Sequence, residues 1–282
     1  MHHRILLLPI VLWLGFAPAA AWAGFLGDLF APRVESWAVW EAFDPDSKAQ
    51  VNHQPWTNLL VRYVMPNPDG VTRFAYGKVT AVDRAALEGY LATLQETPVR
   101  TLNRQERLAY WANFYNALTV KVVLDHYPVA SILDIDISPG FFAEGTWDAK
   151  LVTVERNGLS LNDIEHRILR PIWKDPRVHY AINCASIGCP NLQTFAFASD
   201  GIDATLEDVA GAYINHSRGA RVENNRLILS SIYSWFAEDF GGEAGVLAHL
   251  RAYAGPKLKE ALAKVRSVDD YEYDWSLNDA AS

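Results

Sequence analysis

The chain is poor in cysteine, with two among 282 residues, so no disulfide network holds it together and stability must come from a packed core. It lacks a Cys-x-x-Cys pair, a His-Glu-x-x-His helix and a glycine-rich phosphate loop. Its eight histidines are scattered, so no metal set is legible and nothing points to a cofactor. Beyond the first segment, an uninterrupted apolar stretch of about 20 residues, the length a bilayer-spanning helix needs, is also missing. No run reaches five like charges, and the net charge of −8 excludes attraction to phosphate backbones, and with it a nucleic-acid partner. What is present is apolar: half of the residues are hydrophobic and 12% are aromatic, which excludes intrinsic disorder.

The first segment reads as an export signal. His2-His-Arg4 is weakly basic, Ile5 to Ala17 carries no charge, and Ala21-Trp22-Ala23 supplies a small-x-small cleavage pattern. The expectation is a signal peptide over 1–23 and one globular domain over 24–282. No stable membrane span is left after cleavage, and the location is periplasmic or secreted, hence oxidising.

The strongest periodicity runs from about Arg104 to Asp125. Leu108, Trp111, Tyr115, Leu118 and Val122 recur at helical spacing, Asn103 with Glu106 resembles a capping box, and Pro128 stops the ladder. Arg84 to Gln95, Leu206 to His216 and Gly245 to Tyr253 read as further helices. Lys150–Val154, the turn Glu155-Arg-Asn-Gly158 and Leu159–Leu161 predict a hairpin with Asn157-Gly158 as the turn pair, and Arg221–Glu223, Asn224-Asn225 and Arg226–Leu229 a second one. The alternation of Val178, Tyr180 and Ile182 predicts a strand, and that of Tyr271, Tyr273, Trp275 and Leu277 predicts a last strand closing the sheet. The fold class is α+β: a single domain with a buried central helix packed on a mostly antiparallel sheet.

Chemistry concentrates in Asn183-Cys-Ala-Ser-Ile-Gly-Cys-Pro190, where a thiol among small residues can meet free backbone N–H groups that lower its pKa and form an oxyanion pocket. Three readings of Cys184 and Cys189 stay open: a small disulfide loop, a reactive Cys184, or inert buried thiols. A nucleophile needs a base. His179 is five residues away on an extended segment and faces the other side, which makes it a hydrogen-bonded structural or pocket-lining residue. His166, on a short helix capped by Ser160 or Asn162 and stopping before Pro171, is the better partner for Cys184. Asn113 and Asn116, at i and i+3 inside an apolar stripe, are candidates either to orient it or to satisfy loop carbonyls. Asn183, Ser186, Trp111 and Tyr115 are candidate binding residues beside the thiol loop. These residues predict a thiol-dependent hydrolase or acyl transferase acting on amide or ester bonds. The alternatives are a redox protein using Cys184 and Cys189, and a non-catalytic ligand-binding module with a structural disulfide. The partner is a small molecule or peptide.

Four ordered motifs carry a family likeness. Leu102-Asn-Arg-Gln-Glu-Arg-Leu-Ala-Tyr-Trp-Ala-Asn-Phe-Tyr-Asn-Ala-Leu118 resembles the signature helix of the Domain of Unknown Function 547 family. So do Leu161-Asn-Asp-Ile-Glu-His-Arg-Ile-Leu-Arg170, Asp175-Pro-Arg-Val-His with Asn183 to Pro190, and Tyr273-Asp-Trp-Ser-Leu-Asn278. The resemblance spans about 55–278. The family's segment usually has glycine after the first cysteine, where this chain has Ala185, a residue that resists the turn glycine would permit. The resemblance implies no catalytic residues. The order of a central helix followed by strands looks distantly like papain and transglutaminase-type thiol folds, whose nucleophilic cysteine sits at the amino end of the central helix. Here Asn103 stands there instead.

Overall fold

The computed structural model describes residues 34–138 and 145–280, so the expected signal peptide over 1–23 lies outside the described residues. Helix α1 (Gln54–Tyr63) leads through the two-residue strands β1 (Val64–Met65) and β2 (Arg73–Phe74) to α2 (Ala81–Glu96) and α3 (Arg104–His126). Helix α3 is the predicted central helix, and every side chain from Glu106 to Val120 is buried. It starts as expected, with Asn103 Oδ1 accepting the Glu106 N–H at 2.9 Å. The Glu106 carboxylate does not close a capping box. One oxygen accepts from the Val51 N–H at 2.8 Å and the other from the Ser199 hydroxyl at 2.5 Å. A carboxylate that is 3% exposed requires donors, and these two long-range ones tie residues 51 and 199 to the helix start.

Strands β3 (Val152–Val154) and β4 (Asn157–Leu159) form an antiparallel hairpin, pairing Val152 with Leu159. Its turn lies at Glu155-Arg156, both at positive φ (45° and 69°), two residues before the predicted Asn157-Gly158. The register explains the shift. It buries Val152, Val154 and Leu159 together, and a turn two residues later would pair them differently. The chain continues through a π-helix (Asp163–Leu169), short helices α4 (Arg170–Trp173) and α5 (Val178–Ala181), and the longer α6 (Ile202–Ile214). Then come β5 (Ala220–Glu223), β6 (Arg226–Ser230), α7 (Ile232–Trp235), α8 (Gly242–Tyr253), α9 (Pro256–Leu262) and β7 (Asp270–Glu272).

The class is α+β, as predicted. The strands form two hairpins and a three-stranded sheet ordered β5-β6-β7, with β5–β6 antiparallel and β6–β7 parallel. One core surrounds α3 and includes Trp56, Leu91, Phe114, Leu118, Ile164 and Leu169. A second core joins the three-stranded sheet to α6 and α8 through Tyr213, Leu227, Leu229, Val246 and Leu250.

Three expectations are corrected. Residues 178–181 form one helical turn rather than a strand, because Asp175 and Pro176 start a turn whose carbonyls accept the Val178 and His179 N–H groups. Five alternating residues do not distinguish the two periods. The helix carrying His166 does not stop before Pro171 but continues to Trp173. Proline in an α-helix collides with the carbonyl four residues back, and the wider π winding just before it relieves that clash. The predicted last strand pairs as a strand only over Asp270–Glu272. Beyond it the chain runs as a strap, with isolated bridges of Leu277 to Ser186 and Asp279 to Phe74. No helix among the described residues is long and apolar enough to cross a membrane.

Candidate functional site

Cys184 and Cys189 are joined by a disulfide, with their Cα atoms 6.1 Å apart, inside the normal range for such a bond. The loop between them is positioned from three sides. On the helix side, Asn116 Nδ2 donates to the Ala181 carbonyl and its Oδ1 accepts from the Asn183 N–H, both at 2.8 Å. Within the loop, Asn183 donates to the Pro190 carbonyl at 2.7 Å and accepts from the Ala185 N–H at 2.9 Å. From the strap, Ser276 and Asp274 carbonyls accept the Ile187 and Gly188 N–H groups, each at 2.8 Å. A side chain at 188 would stand 2.9 Å from the Tyr273 ring and 3.0 Å from the Asp274 backbone, so only glycine permits this approach.

The loop turns at Ala185, whose φ is +62°. This alanine adopts the left-handed conformation that the family's glycine would take freely. Such a conformation costs an L-residue about 1–2 kcal/mol and persists only where surrounding contacts over-determine it. Here the Ala185 N–H is fixed by Asn183 and its carbonyl by the Asn278 N–H at 3.0 Å.

The two sulfurs differ in access. Cys189 is 4% exposed, while Cys184 is half-buried. Polar groups surround both. The Cys184 N–H donates to Cys189 Sγ at 2.8 Å, and the Tyr273 hydroxyl lies 3.2 Å from Cys189 Sγ and 3.0 Å from Cys184 Sγ. The Ser186 hydroxyl is 3.2 Å from Cys184 Sγ and 3.0 Å from the Tyr273 oxygen. Burial pushes the Tyr273 phenol well above its ordinary value, so it remains a donor at any physiological pH. Beside it Tyr273, Trp235 and Trp275 pack ring on ring at 4.6–5.6 Å, all partly exposed, and Trp147 meets Trp275 at 6.0 Å.

A second polar cluster adjoins this aromatic wall and was not legible as a unit in the sequence. The π-helix turns Glu165, His166 and Arg170 to one inward face. Arg170 Nη1 lies 3.1 Å from His166 Nδ1, and its Nε donates to Asp239 at 2.5 Å. Because arginine can only donate, His166 Nδ1 is the acceptor. Burial, with Arg170 and His179 adding to it against the pull of Glu165 and Asp239, lowers the His166 pKa to about 4, so the ring is neutral. His179 stands between two carboxylates, Nε2 at 2.7 Å from Asp239 and Nδ1 at 3.7 Å from Glu165, and stacks on Phe236 at 4.3 Å. Although burial opposes it, hydrogen bonds from His179 and Arg170 hold Asp239 at about 2. The Tyr115 phenol, also raised by burial and by Glu165, interacts with that same carboxylate. The available signal was charge in apolar company: Glu165 and Arg170 flank Ile164, Ile168 and Leu169.

The candidate residues therefore fall into separate groups. Cys184, Cys189, Asn183, Ser186 and Asn116 assemble around the disulfide. His166, His179 and Tyr115 assemble around Glu165. His166 is engaged by Arg170 and Cys184 by Cys189, so the expected Cys184–His166 pair takes other partners. Asn113 clamps Phe197 as Asn116 clamps 181–183, donating to its carbonyl at 2.8 Å and accepting its N–H at 2.9 Å. Both amides are engaged by backbone rather than by an imidazole. Trp111 is wholly buried, packed against Trp40, Tyr110 and Phe114. Among the described residues no group of three His, Cys, Asp or Glu side chains is placed to hold a metal ion. In the neighbouring cluster the Arg170 guanidinium bridges His166 and Asp239. A cleft of about 170 Å³ between α2, α3 and β3 is lined by Leu91, Leu118 and Val122 with Lys121 and Asp125, and by none of the candidate residues.

The clamped residues 181–183 and 197, the π-helix and all of α3 fall in one stretch, and residues 99–214 match the family model described as "Protein of unknown function, DUF547". This stretch belongs to DUF547. The DUF547 region thus contains the disulfide loop, Glu165, His166, Arg170 and His179, while Asp239, Trp235 and Tyr273 come from beyond it. No curated protein and no solved structure matches the chain.

Proposed function

We propose that the chain is a thiol–disulfide exchange protein acting on peptide or protein thiols in an exported, oxidising compartment. The observation that carries this reading is the asymmetry of the Cys184–Cys189 disulfide. Cys184 is half-buried and Cys189 buried, which directs attack to Cys184, and the Cys189 sulfur is provided with donors from the Cys184 N–H and the Tyr273 hydroxyl. A substrate thiolate attacks Cys184 Sγ, the S–S bond breaks, and the electron pair leaves on Cys189, where the two donors stabilise the thiolate. A second substrate thiol then attacks the mixed disulfide and releases reduced Cys184. The substrate dithiol is oxidised to a disulfide and the protein is reduced to the dithiol. The aromatic wall of Tyr273, Trp235 and Trp275 offers apolar surface beside Cys184 for a peptide.

Trapping tests the scheme. With a peptide whose thiol is carried as a mixed disulfide with a good leaving thiol, the free Cys184 of Cys189→Ser should attack the peptide sulfur, expel that thiol and hold a covalent adduct, and Cys184→Ser should not. Glutathione equilibration should place the potential above about −300 mV, the region below which structural disulfides fall. A lower potential with no trapped adduct would leave a structural bridge in a binding module. Amide or ester hydrolysis by the reduced chain, lost in Cys184→Ala, would instead install the nucleophilic scheme.

A further inference from the structure

We infer that the corner of the core where Trp40, Arg107 and Trp111 meet binds a small monovalent anion of halide size. The inference is independent of the thiol chemistry. All three side chains are 0% exposed, and four of their nitrogen atoms have no hydrogen-bond acceptor: Trp40 Nε1, Arg107 Nε, Arg107 Nη1 and Trp111 Nε1. They are neighbours. Arg107 and Trp111 lie one turn apart on the same face of α3, and Trp40 touches both. Its carbonyl accepts from Arg107 Nη2 and its ring meets that of Trp111 edge-on at 5.3 Å.

The unmet groups are all donors, and this decides the ligand class. Buried polar atoms find partners in nearly all native structures, and a buried guanidinium is among the most expensive to leave unpaired. Among the described residues none accepts from these four nitrogen atoms. The Arg107 guanidinium lies 5.8 Å from the Trp173 ring and 6.0 Å from that of Phe43, and Arg104, a second cation, lies 5.4 Å from Trp173. Glu155, the carboxylate whose field reaches Arg107, is already bound by Arg100. Burial and Arg104 push Arg107 down only to about 10, so it stays charged at neutral pH. A water accepting from these donors would need acceptors for its own hydrogens. A halide needs none, and it balances the charge. Its position at the first turns of α3 also suits the positive end of the helix dipole.

Crystals of the wild-type chain grown or soaked in bromide test this directly. The expected result is an anomalous bromide peak within hydrogen-bonding reach of Arg107 and a tryptophan Nε1. A water or a protein acceptor found in that position instead overturns the proposal. In solution, replacing gluconate by chloride at constant ionic strength should raise the unfolding midpoint saturably by about 3 °C, as expected for a ligand bound only by the folded state. An identical midpoint in both salts counts against the site. Arg107→Leu should abolish the chloride response; where that variant does not fold, Trp40→Phe, which removes one donor, should reduce it.

Discussion

Cys184 donates its backbone N–H to the sulfur of Cys189 across 2.8 Å, so the half-exposed member of the pair carries a built-in donor for its buried partner. The Tyr273 hydroxyl supplies a second one at 3.2 Å. Hydrogen bonds to a charged group contribute about 1.5–3 kcal/mol, and they favour the thiolate over the disulfide sulfur. Removing one should therefore stabilise the oxidised form relative to the reduced one. Tyr273→Phe is expected to lower the reduction potential by about 30–60 mV, since about 30 mV corresponds to 1.4 kcal/mol for a two-electron couple. Equilibration with glutathione, read by intact mass after alkylation, measures it; an unchanged potential would remove Tyr273 from the thiol chemistry.

Ala185 offers a separate test of the loop. Glycine there relieves a left-handed conformation costing about 1–2 kcal/mol, against the loss of one buried methyl worth about 0.8 kcal/mol. Relief wins, so Ala185→Gly is expected to stabilise the chain by up to about 1 kcal/mol in denaturant unfolding. Ala185→Val, with a branched side chain at φ +62°, should destabilise it by more than 2 kcal/mol on the order of the strain involved. A destabilised glycine variant would mean that the methyl's packing outweighs the backbone term.

These residues also show how much could be read in advance. The span and start of α3 were legible because the Asn103 cap and the apolar positions from Leu108 to Val122 act through neighbours in sequence. The hairpin turning at Asn224-Asn225 was legible for the same reason, both residues tolerating positive φ. The strand predicted over 178–182 failed because its local pattern was too short to oppose the turn started by Asp175 and Pro176. The Glu165 cluster was hidden for a different reason. It depends on a π winding that no simple periodicity announces and on Asp239, 60 residues beyond His179 in the chain. Asn113 and Asn116 stood out as amides in an apolar stripe that demand partners, with loop carbonyls as one reading, but the sequence could not say which distant loops supply them.

Asn116 should prove costly to replace. Asn116→Ala leaves the Ala181 carbonyl and the Asn183 N–H without their bonds in a buried setting, at about 1–3 kcal/mol for each unsatisfied group. A loss of about 2–4 kcal/mol is expected in urea unfolding, together with faster amide exchange at 181–184. Because the clamp holds the segment just before Cys184, the same variant should also change the rate of disulfide reduction by a small-molecule thiol. Wild-type stability and exchange in this variant would show that the loop is held from the strap alone.

The acid response follows from three imidazoles withdrawn from water, His166 buried and His53 and His249 half-buried. Burial lowers His53, His166 and His249 each to about 4, against 6.5 for the free side chain. Above pH 6.5 both folded and unfolded chains leave these rings neutral, and their contribution to stability is complete. As pH falls from 6.5 towards 4 the unfolded chain takes up protons that the folded chain refuses, so stability declines across that window. Near pH 5 unfolding should take up about 2–3 protons from these rings alone, measurable as the slope of unfolding free energy against pH. Asp239 acts lower down: held at about 2, it adds a further loss as pH drops below about 4, because its bonds to Arg170 and His179 need the carboxylate ionised. His166→Gln should remove about one proton from the pH 5 slope while leaving the loss that Asp239 adds below pH 4 in place. A slope that the substitution does not change would mean that His166 is not the neutral acceptor its contact with Arg170 requires.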